Sequence, residues 1–359
     1  MADHLLPGIT ATRVETPRLT QQVLAAEGTA LSGPGDVVLF VHGNVSSSLF
    51  WQQPLLALAE TGRVRALAVD LRGFGGTDPA PIDASRGLRD WADDVAALVD
   101  TLGLDRVHLV GWSMGGGVAM QYLIDHADRV LGLTLVNPVS PYGFGGTAGE
   151  DGRLVRPDGA GSGAGTANPE FVKRIADGDL GGDPVSPRGV MNAVYFSGGT
   201  AGDREDAYVA SMVSTRVGDD FYPGDSLASP HWPGVAPGSR GVLNSMAPVH
   251  LDLSGIVDVH PKPPVLWVRG AEDRVVSDAS MLDLAVLGRM GELPGWPGEE
   301  EMPPQPMVAQ TRRVLDRYQE AGGDYAEVVV DGAGHSPHVE RPEEFRIALS
   351  GFLRRCAGD

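Results

Sequence analysis

Residues 107–117, Val107-His108-Leu109-Val110-Gly111-Trp112-Ser113-Met114-Gly115-Gly116-Gly117, decide the reading of this chain. Val107 to Val110 reads as a strand. Val118, Met120 and Leu123 just beyond it predict a helix from Gly115 to His126. Between the two stands a G-x-S-x-G pentapeptide with Ser113 at its centre. A serine on a sharp strand-to-helix turn is lifted clear of the backbone, and only small residues two positions away avoid collision. The helix start also aims free N–H groups and positive dipole at the same point. In a chain with 49 glycines the five letters alone arise easily by chance. The strand before them and the helix after them make Ser113 the candidate nucleophile.

Outward from this turn, strands and helices alternate. Asp36 to Gly43, Arg63 to Asp70, Arg106 to Val110 and Val130 to Val136 read as strands, and Ser47 to Glu60 and Leu88 to Leu102 as helices. Two short strands, Ile9 to Val14 and Gln21 to Ala26, precede them. The alternation resumes with a strand from Pro264 to Gly270, a helix from Met307 to Gln319, a strand from Tyr325 to Val330 and a helix from Glu343 to Arg355. Such alternation predicts an α/β fold, a mostly parallel sheet with helices on both faces.

Residues 138–262 break the pattern. Gly145 to Thr166 is rich in Gly, Ser and Asp, and turn-rich clusters surround Pro223, Pro230 and Pro237. Two helix candidates, Pro169 to Ile175 and Asp203 to Arg216, lie among them. A structureless loop of this length does not fit a compact domain. The expectation is a core of residues 1–137 and 263–359 with 138–262 inserted as a cap or lid. Within it, 145–166 has few apolar anchors and is expected to be mobile.

Serine needs a base, and the base needs a carboxylate to orient it. The last strand runs into Asp331-Gly332-Ala333-Gly334-His335-Ser336, where a glycine-flanked loop lets His335 reach over the sheet's C-terminal edge. His335 is the expected base, and His338, three residues on, reads as a local contact. The strand ending at Gly270 leads into Ala271-Glu272-Asp273-Arg274. Asp273 is the expected acid and Glu272 the alternative, while Asp273 also suits a plain turn cap or a pair with Arg274. The strand ending at Val136 offers Asn137, which is no base partner. The turn His42-Gly43-Asn44 gives a second backbone donor beside the N–H of Met114. Asn44 and Met114 are thus the expected oxyanion hole, with Val45 as fallback and His42 structural. Trp112, Met191, Tyr195, Phe196, Tyr208 and Met212 are candidate substrate contacts, and equally suit gluing the insert to the core. Phe221 and Tyr222 are candidates for a gate.

At this point the chain resembles the α/β-hydrolase superfamily, in its branch of cap-containing serine hydrolases of the esterase or lactonase kind. The likeness rests on Val41-His42-Gly43-Asn44, Asp70-Leu71-Arg72-Gly73-Phe74-Gly75-Gly76-Thr77-Asp78, Gly111 to Gly116, Gly270 to Val275, and Gly334-His335-Ser336-Pro337-His338-Val339-Glu340-Arg341-Pro342. The resemblance implies the α/β-hydrolase fold, an eight-stranded, mostly parallel sheet under a cap. Haloalkane dehalogenases and epoxide hydrolases of this branch use an aspartate nucleophile, where this chain has Ser113. The long insert matches no simple helical cap of the family.

Composition is that of an ordinary soluble globular protein. The 359 residues carry a net charge of −19, with only Lys173 and Lys262 as lysines. So acidic a chain repels phosphate backbones and anionic membranes, so neither nucleic acid nor membrane is an expected partner. No signal-like leader and no membrane-length apolar run are seen, so the expected location is cytoplasmic. The lone Cys356 forms no internal disulfide. Glu299 to Glu301 reads as a solvated run, and neither metal nor organic cofactor is expected. The expected activity is hydrolysis of a small, partly apolar carboxylic ester or lactone through an acyl-enzyme, by a monomer or homodimer. A carbon–carbon hydrolase (with Arg188 or Arg216 as cation), a thioesterase or an amidase would use the same triad. A receptor-like binding module is the non-enzymatic alternative.

Overall fold

A computed structural model describes residues 4–358. Eight strands form one sheet: β1 (Ile9–Glu15), β2 (Thr20–Ala26), β3 (Val37–Val41), β4 (Arg65–Val69), β5 (Val107–Trp112), β6 (Val130–Val136), β7 (Val265–Gly270) and β8 (Tyr325–Val330). Their order is β1-β2-β4-β3-β5-β6-β7-β8. β2 runs antiparallel to both its neighbours, and from β4 to β8 every pairing is parallel. Every residue of β3 and β5 is buried, as expected for central strands covered on both faces. β8 closes one edge and is only partly buried, with Glu327 held between Arg269 and Arg312.

Helices flank the sheet. α1 (Gln52–Ala59) packs on the closing helix Pro342–Ala357, and α2 (Arg89–Thr101) packs on α3 (Met114–Asp125). Met114 to Leu123 are all buried, so α3 meets solvent only at its C-terminal end. None of the described helices is long and apolar enough to cross a membrane.

Between β6 and β7 lie α4 (Pro169–Ala176), α5 (Pro187–Val194), α6 (Glu205–Val213) and α7 (Val242–Ser245), with two ribbons of two or three residues per strand. α4 and α5 both pack on α6, which rests on the turn after β3, where the Ser47 and Ser211 hydroxyls meet at 2.7 Å. The helix expected over 203–216 is confined to Glu205–Val213. α5 was not anticipated, although Ser186 caps it by accepting the Gly189 N–H and Pro187 opens it.

Residues 145–166, expected to be mobile, are anchored at both ends. Ala160, Ser162 and Ala164 are completely buried. Gln305 ties this region down: its side-chain oxygen accepts the Gly145 N–H, and its amide donates to the Gly143 carbonyl at 3.1 Å. Gln310 extends the network to the Thr147 hydroxyl (3.0 Å) and the Gly149 carbonyl (2.9 Å). Few apolar side chains are needed where buried amides satisfy a glycine-rich backbone directly.

Candidate active site

Five adjacent strands, β3, β5, β6, β7 and β8, end at one edge of the sheet. Neighbouring strands lie about 4.8 Å apart, so the residues that follow them are brought together. Asn44 follows β3, Ser113 follows β5, Asn137 follows β6, Asp273 follows β7 and His335 follows β8.

Ser113 has φ 55° and ψ −123°. A non-glycine residue with positive φ is uncommon, and such strain typically costs about 1–3 kcal/mol. Val45 (φ 46°) and Asn137 (φ 38°) share the left-handed region. Three strained residues therefore lie at the ends of three neighbouring strands, held there by fully packed surroundings. Gly115 makes the turn possible, because a Cβ on it would collide with the Val41 and His42 carbonyl oxygens. Ser113 itself stays half-buried while Trp112 and Met114 on either side are buried.

His335 and Asp273 meet as expected from their strands. The His335 ring places Nδ1 2.9 Å from Asp273 Oδ2, with both side chains buried. Asp273 Oδ1 accepts the N–H groups of Val275 (2.7 Å) and Val276 (3.1 Å). The turn-cap role and the His contact are thus filled by the two oxygens of one carboxylate. Arg274 turns away toward the Ala193 carbonyl, and Glu272 is exposed. Of the two carboxylates, Asp273 is the one buried against His335.

The turn after β3 is fixed by His42. Its Nδ1 lies 2.7 Å from the Gly43 carbonyl and its Nε2 accepts the Leu71 N–H at 3.0 Å, which puts the ring proton on Nδ1. Burial pushes its pKa down against the opposing pull of Asp70, so it is a neutral structural ring. In a trans peptide, C=O and N–H point in opposite directions. With the Gly43 carbonyl held by His42 and by the Ser46 hydroxyl (2.8 Å), the Asn44 N–H points away from both. The Asn44 carbonyl accepts the Tyr195 hydroxyl at 3.1 Å, which turns the fallback Val45 N–H away from Tyr195. Met114 opens α3, so its N–H belongs to the turn that has no intrahelical acceptor.

The six candidate contact residues divide. Tyr195 stands edge-on to Trp112 (5.7 Å between ring centroids) and to His335 (5.8 Å), so these two aromatics wall the base. Tyr208 lies one layer back, stacked on Phe50 at 4.2 Å, with Phe196 6.4 Å beyond it. Met191 and Met212 are wholly buried. Burial raises the phenol pKa of Tyr195 and pushes that of Tyr208 up to about 12, so both stay neutral. Tyr222 is buried rather than free to swing, and the guanidinium of Arg216 lies 5.8 Å from the centre of the half-buried Phe221 ring.

Sequence reading passed over several contacts around the base. Glu340 accepts N–H groups from Gly334 (2.6 Å) and Ser197 (2.7 Å) and the Ser197 hydroxyl (2.8 Å). The insert is thereby tied to the base loop one residue beyond Phe196, and a Cβ on Gly334 would come within 2.8 Å of the Ser197 nitrogen. The Trp112 indole donates to the His335 carbonyl at 2.7 Å, and Asn137 donates to the same oxygen at 2.8 Å. His338 stacks on Trp51 at 4.2 Å and meets Trp112 edge-on at 5.0 Å. It also lines a surface cleft of about 320 Å³ between α1 and the closing helix, which is not at Ser113. The Glu340 tie depends on two loops meeting across the fold, which no local signal announces.

Comparison with known proteins follows this architecture. Residues 38–348 match the model of the Alpha/beta hydrolase family, and the chain belongs to that family. Over 127 residues it is 39% identical to "Putative carbamate hydrolase RutD" of Variovorax paradoxus (strain S110), covering 35% of this chain and 47% of that protein. Over 101 residues it is 41% identical to epoxide hydrolase 2 of Siraitia grosvenorii, covering 28% of this chain and 32% of that one. These matches thus span less than half of either relative. Serine hydrolase CCSP0084 from Cycloclasticus zankles has the same fold, with a TM-score of 0.59 over 96% of this chain and 98% of that one, at 18% identity.

Proposed function

We propose that this chain hydrolyses small carboxylic esters or lactones through an acyl-enzyme on Ser113. The carrying observation is the buried 2.9 Å contact between His335 and Asp273, which lie three and two strand ends along the sheet edge from the strained serine. Asp273 holds the imidazole with Nδ1 protonated, which leaves Nε2 free to take the Ser113 proton as the hydroxyl attacks the carbonyl carbon. The N–H groups of Asn44 and Met114 hold the oxyanion, and each such donor typically contributes about 2.7–4 kcal/mol. His335 returns the proton to the leaving alcohol, and water then releases the acid by the same steps. Ser113, where epoxide-opening relatives carry aspartate, favours acyl transfer over epoxide opening. Residues 138–262 act in this reading as the cap, with Tyr195 and Trp112 beside the reacting carbonyl.

A carbamate substrate is the second reading, favoured by the likeness to the Variovorax protein. A carbon–carbon hydrolase is disfavoured. Its expected cation Arg188 is engaged by Glu205 (2.7 Å) and Asp206 (2.6 Å), and Arg216 is exposed. Initial rates on p-nitrophenyl acetate, γ-lactones and aryl carbamates test the proposal. Ester or lactone turnover that disappears in Ser113→Ala is expected. Turnover kept by Ser113→Ala refutes the proposal, and carbamate turnover alone selects the second reading.

A further inference from the structure

We propose that Asn137, outside the triad, is a positioning residue that holds the acid and base loops in register. This rests on the Ser113–His335–Asp273 reading. Asn137 follows β6, between the strand that carries Ser113 and the strand that leads to Asp273. It is 2% exposed, and its polar atoms are committed to the two loops. Its backbone N–H donates to the Val268 carbonyl at 3.0 Å, and its Oδ1 accepts the Gly270 N–H at 3.1 Å. Both contacts fall on β7, whose end lies three residues before Asp273. Its Nδ2 donates to the carbonyls of Gly334 (3.0 Å) and His335 (2.8 Å) on the base loop.

The chemistry of these partners fixes the amide's orientation. Gly270 presents a donor and the base loop presents two acceptors, so only one placement of oxygen and nitrogen satisfies all three. Aspartate has the same shape but no donor when ionised, and would face two carbonyl oxygens. A hydrophobe would take the side-chain partner from the Gly270 N–H and the Gly334 carbonyl and leave the His335 carbonyl to Trp112 alone. The left-handed φ of 38° adds a second requirement, because among non-glycine residues asparagine tolerates it best. One side chain therefore spans the gap between acid and base. The Trp112 indole, next to the nucleophile, holds the same His335 carbonyl from the other side. The His335 backbone is thus pinned to the strand ends on which Ser113 and Asp273 depend.

Covalent labelling of the full chain by a fluorophosphonate tests this without knowledge of the substrate. Asn137→Gly removes the side-chain bridge, and glycine accepts the positive φ without strain, which favours retention of the fold. A slip of about 1 Å in catalytic geometry costs on the order of 100-fold. The labelling rate of Asn137→Gly should therefore fall about 10- to 100-fold. On any ester the wild type turns over, kcat should fall in step with KM nearly unchanged. Combined with Asp273→Ala, Asn137→Gly should add almost nothing, whereas a merely structural role would add its own loss. Asn137→Asp, which keeps the Gly270 acceptor and loses the donors, should behave alike and serves if the glycine variant does not fold. A folded variant that labels at the wild-type rate overturns the proposal. A wild type that does not label at Ser113 overturns the triad reading itself.

Discussion

The sheet with its flanking helices and the stretch between β6 and β7 are held together by different means. In the core, long apolar runs such as Val37–Val41 and Val107–Val110 bury themselves, and the backbone is satisfied by the sheet ladder. In 138–262, short helices and ribbons are joined by side chains that bond directly to backbone. Asn244 donates to the carbonyls of Asp225 (2.7 Å) and Arg240 (2.8 Å), and Gln305 and Gln310 do the same work from outside the insert. The contrast teaches where function can be read. The first region announces itself by periodicity, and the second largely through contacts between distant residues.

The largest expected effect lies in the core. Ser113→Ala and His335→Ala should each lower turnover on the order of 10⁴- to 10⁶-fold, as removal of a triad member does elsewhere. The melting temperature of Ser113→Ala should stay at or above that of wild type, since the substitution takes a hydroxyl from a strained turn. Steady-state kinetics beside calorimetry would reveal a loss of activity caused merely by unfolding.

An insert substitution should show the opposite pattern. Tyr208→Ala empties a site stacked on Phe50 and should cost about 3–5 kcal/mol of stability, read by urea unfolding. If 138–262 unfolded separately from the core, two transitions would appear instead of one weakened transition, and the comparison would sharpen into two folding units.

A third effect is set by pH. Burial, with the His335 ring beside it, pushes the pKa of His338 well below that of a free imidazole. The unfolded chain binds a proton that the folded chain refuses, so the stability from this site is complete above about pH 6.5 and is lost as pH falls below it. The slope from one such group approaches about 1.4 kcal/mol per pH unit. His338→Phe keeps a ring against Trp51 and removes the titration. Its stability should decline less steeply than that of wild type between pH 6.5 and 5, and parallel declines would contradict this.

The smallest effect concerns backbone strain in the insert. Ala164 is completely buried with φ 45°. Ala164→Gly should stabilise by about 1 kcal/mol or less, seen as a small rise in melting temperature.

Much of the site was legible because its residues sit where regular elements end. Ser113, Asp273 and His335 each follow a run whose apolar pattern is unmistakable, and the eight strands begin and end within about two residues of their expected places. The choice of Asp273 over Glu272 needed burial, which a sequence does not display. Asn137 was visible but set aside, because it was judged only as a possible acid. Its bonds to Gly270, Gly334 and His335 join segments more than 130 residues away in the chain, and no local spacing encodes them. The anchors of 145–166 escaped notice for a related reason: Gln305 and Gln310 lie far along the sequence. The helix at 187–194 carried its start signal in Ser186-Pro187, and was missed because its eight residues hold too little apolar periodicity to stand out.

The central claim is that Ser113 is an activated nucleophile, and intact-mass spectrometry after fluorophosphonate treatment tests it most directly. The account predicts a single adduct on Ser113 in the wild type, none in Ser113→Ala, and labelling slowed at least about 100-fold in His335→Ala. An adduct on another residue, or equal labelling of wild type and His335→Ala, would contradict it.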